Sequence, residues 1–128
     1  MIAVDTSSFI AYLQGENAKD VEWIEEALGS HSLVFPPVVA SEILSDRALP
    51  LMLVTNLKHL PLLSIMPDYW YRAGAMRSEI LAKKLKAHLA DTLIAQSCID
   101  HKVPLITRDL DFRHYVNVGG LLLFDGSI

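Results

Sequence analysis

Cysteine is almost absent from this sequence, and so are long apolar runs. Cys98 is the only cysteine among 128 residues, which excludes an internal disulfide framework and a cysteine-based zinc site. The apolar run from 48 to 54 contains Pro50, whereas a membrane helix needs about 20 consecutive apolar residues. Asp5 interrupts the first apolar stretch and no basic segment precedes it, so we expect no signal peptide. These shortages predict a cytoplasmic protein without a membrane segment.

Basic residues are also scarce. The chain has 11 Lys and Arg against 15 Asp and Glu, which gives a formal net charge of −4. A generic basic nucleic-acid-binding protein has the opposite balance. An acidic balance does not exclude nucleic acid as a partner, however, because an enzyme that binds metal ions through carboxylates is acidic until the metal is counted.

Apolar residues are plentiful, at 52% of the chain, and the length fits one domain with its own core. Strands are predicted for residues 2–4, 32–35, 103–107 and 121–124, with a weaker fifth at 62–65. These runs do not alternate between apolar and polar residues, which is typical of a parallel sheet that is covered on both faces. Helical patterns occupy residues 7–13, 17–28, 36–46, 49–60, 67–85 and 90–101. The alternation predicts one α/β domain over residues 1–128.

Two aspartates follow predicted strands directly. Asp5 follows the first strand, and Asp109 follows the strand that contains "VPLI". In α/β folds, ligands bind outside the carboxyl ends of the strands, so these two carboxylates are expected to meet at one edge of the sheet. The alternative is that each aspartate caps the helix that follows it, as Asp, Ser and Thr commonly do.

A third aspartate lies on the apolar face of a predicted helix. In "ADTLIAQSCI", the positions that share a face with Asp91 are Ile94, Ala95, Cys98 and Ile99. An aspartate on a core-facing position is costly unless it is paired or coordinated. The favourable interaction of a carboxylate with a helix N-terminus explains its place in the first turn, but it does not explain why the side chain faces inward.

Glu42 in "PPVVASEILS" shares its helix face with Val38 and Val39, although an ordinary exposed glutamate explains this pattern equally well. If the four acids converge, two charges 4 Å apart repel by about 4 kcal/mol at an effective dielectric constant near 20. Such a cluster takes up protons or binds cations. Oxygen ligands alone favour Mg²⁺ or Mn²⁺, and the histidines show no spacing that suggests zinc.

Four stretches in order, "VDTSSFIAYL", "SEIL", "ADTLIAQSCI" and "PLITRDLDF", resemble the PIN domain family, and within it the VapC-type toxins of prokaryotic toxin–antitoxin pairs. The resemblance covers nearly the whole chain. It implies a three-layer α/β/α sandwich with a central, mainly parallel five-stranded sheet. It also implies a homodimeric, Mg²⁺- or Mn²⁺-dependent endoribonuclease acting on RNA, and a small antitoxin protein that masks its active site.

The resemblance also assigns residues by position. The catalytic and metal-binding acids of the family correspond to Asp5, Glu42, Asp91 and Asp109. Ser7 and Thr107 match small polar residues that orient the ligands, and Asp111 is either the alternative fourth acid or a supporting residue. Arg108 and Arg113 flank the last motif and are candidates for phosphate binding. The segment "KKLKAHLA" before Asp91 lacks the glycine often found there in the family.

Two other interpretations remain open at this point. A catalytically inactive PIN-like module would only bind RNA or protein. A phosphoryl-transfer domain with an aspartate nucleophile also uses acids at strand ends with Mg²⁺, but one such family expects an aspartate where this chain has Ser7. The lysines at 83, 84 and 86 are explained either by a solvated helix end or by contact with RNA.

Overall fold

Three short parallel strands form the centre of the protein. The computed structural model describes residues 1–127. Its strands are β1 (Ile2–Val4), β2 (Leu33–Val34) and β3 (Leu105–Ile106), in the order β2-β1-β3. Ala3 of the central strand pairs with Val34 on one side and Leu105 on the other. The carboxyl ends of β1 and β3 therefore lie side by side.

The expected α/β fold is confirmed, but the expected five strands are not. Within residues 1–127 the sheet has three strands, and each outer position carries only a single parallel bridge, Phe35 with Leu62 and Leu105 with Leu123. Both bridging leucines are more than a third exposed. Pro61, which precedes Leu62, has no amide hydrogen to donate to a ladder. The fourth and fifth predicted strands thus pair with the sheet without forming regular strands.

Seven helices connect and cover the strands within residues 1–127. They are α1 (Thr6–Leu13), α2 (Lys19–Gly29), α3 (Pro37–Leu44), α4 (Leu51–Leu57), α5 (Tyr69–Ala82), α6 (Leu89–His101) and α7 (Arg113–Gly119), with a 3₁₀ turn at Leu110–Phe112. The α7 helix was not predicted from the sequence, because two turns are too few to show an apolar period. Its C-cap is Gly120, whose φ of 78° few other residues adopt.

The strands are buried on both faces, as the unalternating apolar runs predicted. Ala3, Val4, Leu105 and Ile106 are fully buried. Helix α2 packs against β2 and β3, while α5, α6 and α7 pack against one another. Within residues 1–127, no helix combines the length and the apolar character that crossing a bilayer requires. The chain leaves the buried sheet at Asp5 and at Thr107, which places polar side chains at its edge.

Candidate active site

Asp5 is a buried carboxylate at the end of the central strand. It is 4% exposed, and it is the N-cap of α1, where its Oδ1 accepts a hydrogen bond from the Thr6 amide at 2.8 Å. Its Oδ2 accepts from the hydroxyl groups of Ser7 at 2.7 Å and Thr107 at 2.8 Å. The capping interpretation of Asp5 is therefore correct, and the same carboxylate is also held by two hydroxyl groups.

Burial raises the pKa of Asp5 above its ordinary value. The hydrogen bonds from Ser7, Thr107 and Thr6 lower the pKa in part, while the charge of Asp109 raises it further. A carboxylate has about four acceptor positions, and groups within residues 1–127 occupy one on Oδ1 and two on Oδ2. One position on Oδ1 is thus left for a cation or a donor outside the chain.

Asp109 lies beside Asp5 because both follow neighbouring strands. It caps the 3₁₀ turn, and its Oδ1 accepts from the Asp111 amide at 2.9 Å. The Asp109 amide donates to the Thr107 hydroxyl at 3.0 Å, the same group that donates to Asp5. One threonine thus connects the two acids.

Asp91 completes the central group from the first turn of α6. Burial and then the charges of Asp5 and Asp109 raise the pKa of Asp91 to about 6, with a smaller rise from Glu42 and a lowering from His88. The four acids that sequence analysis singled out therefore lie within electrostatic range of one another. Capping of α6 does not account for this, because the N-cap of α6 is His88 and makes no side-chain capping bond.

Glu42 lies at the edge of the group and is exposed on α3. Its Oε1 accepts from the Thr6 hydroxyl at 2.6 Å, so the first turn of α1 connects Glu42 to Asp5. The contact between Thr6 and Glu42 was not predicted from the sequence. The available signal was the run of three hydroxyl residues after Asp5, more than one cap requires.

The donor set fits a hard divalent cation in chemistry. The acids and the hydroxyl groups around them offer only oxygen atoms, the ligands that Mg²⁺ and Mn²⁺ prefer. Burial and then the charges of Asp5 and Asp109 raise the pKa of Asp91, and repulsion of this kind favours a cation between the carboxylates. The spacing is open, however: within residues 1–127 no three His, Cys, Asp or Glu side chains are close enough together to form a ready metal site.

The side chain of Asp111 is less closely tied to this group than that of Asp109. It is half-buried, the backbone amide of Asp111 donates to Oδ1 of Asp109, and the charge of the Asp111 side chain acts on Tyr115. The geometry favours Asp109 as the fourth acid and a supporting place for Asp111, and both assignments stay predictions.

The two arginines beside the last motif differ in their contacts. Arg108 donates from Nε to Oδ2 of Asp20 at 2.8 Å and from Nη1 to Oε1 of Glu16 at 3.2 Å. Its hydrogen bonds lower the pKa of Asp20. Arg113 is exposed, and within residues 1–127 it donates only from Nε, to the Leu110 carbonyl at 3.2 Å. Phosphate binding stays a prediction for both arginines, and the contacts favour Arg113, since its Nη1 and Nη2 have no partner in the described part of the chain.

Comparisons with known proteins give a family and a similar fold. The family model described as the PIN domain matches residues 2–117. No curated protein matches the sequence significantly. Among solved structures, the chain is similar in fold to a chain of VapBC2 from Rickettsia felis bound to a DNA fragment from their promoter, with a TM-score of 0.67 and 15% sequence identity. That match covers 97% of this chain and 98% of the other.

Proposed function

Because this chain belongs to the PIN domain family, we propose that it is a Mg²⁺- or Mn²⁺-dependent endoribonuclease that hydrolyses RNA phosphodiester bonds. The observation that carries the proposal is the gathering of Asp5, Asp91 and Asp109, seen in the pKa of Asp91, which burial and then the charges of the other two acids raise to about 6. Three distant segments of the chain supply these acids, and helix capping alone gives no reason for them to meet.

The four acids Asp5, Glu42, Asp91 and Asp109 are the proposed metal ligands and catalytic residues. A bound divalent ion would supply positive charge at the phosphate and lower the pKa of a coordinated water. The chain's own contribution is to hold the acids in place before the substrate arrives. Ser7 and Thr107 fix the Asp5 carboxylate, and the Asp111 amide fixes that of Asp109. Such supporting contacts orient ligands and strengthen metal binding.

The decisive experiment follows cleavage of a structured RNA with Mg²⁺ or Mn²⁺. We expect cleavage by the wild-type chain, and loss of cleavage with EDTA and in Asp5→Asn. The matched control is Asp68→Asn, which removes an exposed aspartate at the N-cap of α5, in a left-handed conformation that asparagine adopts well. Cleavage that persists both with EDTA and in Asp5→Asn would refute the proposal.

A second candidate is a catalytically inactive module that binds RNA or protein. The open spacing of the acids within residues 1–127 favours it, since no three of them form a ready metal site. Titration with Mn²⁺ separates the two candidates. Saturable binding that Asp5→Asn weakens supports the nuclease, whereas a folded chain without measurable Mn²⁺ binding supports the inactive module.

We further propose that this protein is the toxin of a type II toxin–antitoxin pair, acting in the cytoplasm as a homodimer that a small antitoxin masks. The similarity in fold to a chain of VapBC2 supports the pairing. Leu51 and Met52 on α4 are 80% and 75% exposed, and exposed apolar surface is typical of protein contacts. Light scattering tests the dimer. Co-purification with the product of an adjacent gene, and loss of cleavage in that complex, tests the antitoxin.

A further inference from the structure

Half of the lysines lie in one short segment that leads into α6, the helix that carries Asp91. The chain has six lysines, and Lys83, Lys84 and Lys86 follow α5 closely, all three exposed. None of the three forms an ion pair with any acid of residues 1–127, whereas Lys19 pairs with Glu22 at 3.5 Å. Positive charge without a partner is thus concentrated here in a chain that is acidic as a whole.

The end of this segment, just before α6, is held by hydrogen bonds of its backbone carbonyls. The Ala87 carbonyl accepts from Nε of Arg77 at 2.7 Å, and the Lys86 carbonyl accepts from Nδ1 of His114 at 3.1 Å. The His88 carbonyl accepts from the amide of Thr92, the residue after Asp91, at 3.0 Å. Residues 86–88 at the end of the lysine segment are therefore held between α5, α7 and the first turn of α6, which carries Asp91.

Arg113 extends the same positive surface. It is exposed at the start of α7 and precedes His114, which contacts the Lys86 carbonyl. Arg108 does not extend it, because Asp20 and Glu16 occupy its guanidinium group. We call the exposed surface of Lys83, Lys84, Lys86 and Arg113 the basic rim.

We propose that the basic rim binds the phosphate backbone of single-stranded RNA and guides it into the acidic site. This inference rests on the proposed function, since an RNA strand that is cut at the acids must continue over the protein surface on either side of them. Clustered carboxylates repel phosphates, and a group of unpaired cations on the segment that leads into the Asp91 helix offsets that repulsion along the incoming strand. Phosphate contacts of this kind provide affinity without sequence preference.

The chain offers a matched control, because its other three lysines are also exposed. Each set contains one lysine in the left-handed region, Lys84 with φ of 61° and Lys102 with φ of 53°. Both variants carry Asp5→Asn to prevent cleavage. The rim variant is Lys83→Gln, Lys84→Gln, Lys86→Gln, and the control variant is Lys19→Gln, Lys58→Gln, Lys102→Gln. Both have the same net charge, and thermal unfolding verifies that both are folded.

Binding is measured by fluorescence anisotropy with a labelled single-stranded RNA in Mg²⁺ at several salt concentrations. One phosphate contact on single-stranded RNA contributes about fivefold in affinity at about 0.1 M salt. Because the rim variant lacks three lysines, we expect its affinity for the RNA to fall roughly a hundredfold. The slope of log affinity against log salt falls in magnitude by about 2. The control variant keeps the parent slope. Equal losses of RNA affinity in the two variants would overturn the proposal that the basic rim binds RNA. Displacement of the RNA by poly-glutamate at an equal concentration of charge would also overturn it.

Failure of this inference is distinguishable from failure of the proposed function. Wild-type protein that does not cleave RNA, while the rim variant alone loses binding, removes the nuclease and keeps the basic rim. Wild-type protein that cleaves RNA, while the rim variant binds as tightly as the control, removes the basic rim and keeps the nuclease.

Discussion

The Thr107 hydroxyl group donates a hydrogen bond to Oδ2 of Asp5 across 2.8 Å, although the two residues are 102 positions apart in the chain. The same hydroxyl accepts from the Asp109 amide at 3.0 Å. One side chain from the end of β3 therefore sets the positions of two acids, and it does so only in the folded sheet.

Thr107→Val removes this hydroxyl at nearly constant volume. A hydrogen bond to a charged group contributes about 1.5–3 kcal/mol, so we expect Mn²⁺ affinity and RNA cleavage to fall by roughly 10- to 100-fold. Calorimetric Mn²⁺ titration and single-turnover cleavage measure the two effects. The control is Thr55→Val, an exposed position on α4 whose hydroxyl donates to the Leu51 carbonyl. Unchanged Mn²⁺ affinity in Thr107→Val would contradict the role given to Thr107.

Two aspartates on α6 are expected to affect stability in opposite directions in the metal-free chain. Burial and neighbouring acids raise the pKa of Asp91 to about 6, above its value in the unfolded chain, so the fold loses stability as pH rises from about 4 to 6. Asp91→Asn removes this cost and raises the free energy of unfolding at neutral pH by about 1–3 kcal/mol. Urea unfolding in EDTA at about pH 5 and about pH 7.5 measures it.

Asp100 provides the opposite case. Burial raises its pKa, but the hydrogen bonds from Arg72 and Gln96 outweigh burial and leave the pKa lowered. Its ionised form is stabilising above the pKa of the unfolded chain and that stability is lost at acid pH. Asp100→Asn is therefore expected to lower stability at neutral pH in the same urea experiment. If both variants changed stability with the same sign, the assignment of the two environments would be wrong.

The contact between Arg108 and Asp20 predicts a pH-dependent loss of stability. Asp20 is 8% exposed and the Arg108 guanidinium, which donates to it, lowers its pKa. Asp20→Asn should destabilise the fold by about 1–2 kcal/mol at neutral pH, a value reduced for the partial exposure of Arg108. The difference from wild type should shrink as pH falls through the folded pKa of Asp20, because the wild-type carboxylate is then protonated. A difference that stays constant with pH would exclude the ion pair as its cause.

Two glycines in helices are expected to respond differently to alanine. A Cβ at Gly74, inside α5, has nothing within 4 Å, so Gly74→Ala should stabilise the fold by about 0.5–1 kcal/mol through helix propensity. A Cβ at Gly119 would lie 2.5 Å from Sδ of Met76 and 2.8 Å from Cδ1 of Ile99. Gly119→Ala should therefore destabilise, because overpacking costs about 1–3 kcal/mol. Thermal unfolding of both variants compares the two signs.

The sequence was sufficient to predict the PIN family, the parallel sheet and the acids that end its strands. Asp5 and Asp109 could be placed because the carboxyl ends of neighbouring parallel strands share an edge. Asp91 could be placed because an acid on the apolar face of a helix is costly unless it is paired or coordinated. These are properties of local pattern.

Contacts between distant segments were beyond sequence reasoning. Neither the Thr6 hydroxyl bond to Glu42 nor the contacts of Arg108 with Asp20 follow from periodicity, since each depends on how two helices or loops pack. The prediction that Arg108 faces a phosphate considered only its neighbours in sequence. The outer strands at 62–65 and 121–124 were predicted from the sequence but form only single bridges, because strand length depends on the partner strand as well as on the run itself.

The position of β1 has a consequence for synthesis. Its partners are residues 33–34 and 105–106, so the middle of the sheet can close only after the ribosome has made and released most of the chain. Long-range pairing of this kind is slow to form. Until Ile106 emerges, Asp5 has neither Thr107 nor Asp109 beside it, and a nascent or prematurely terminated chain carries no assembled acid group.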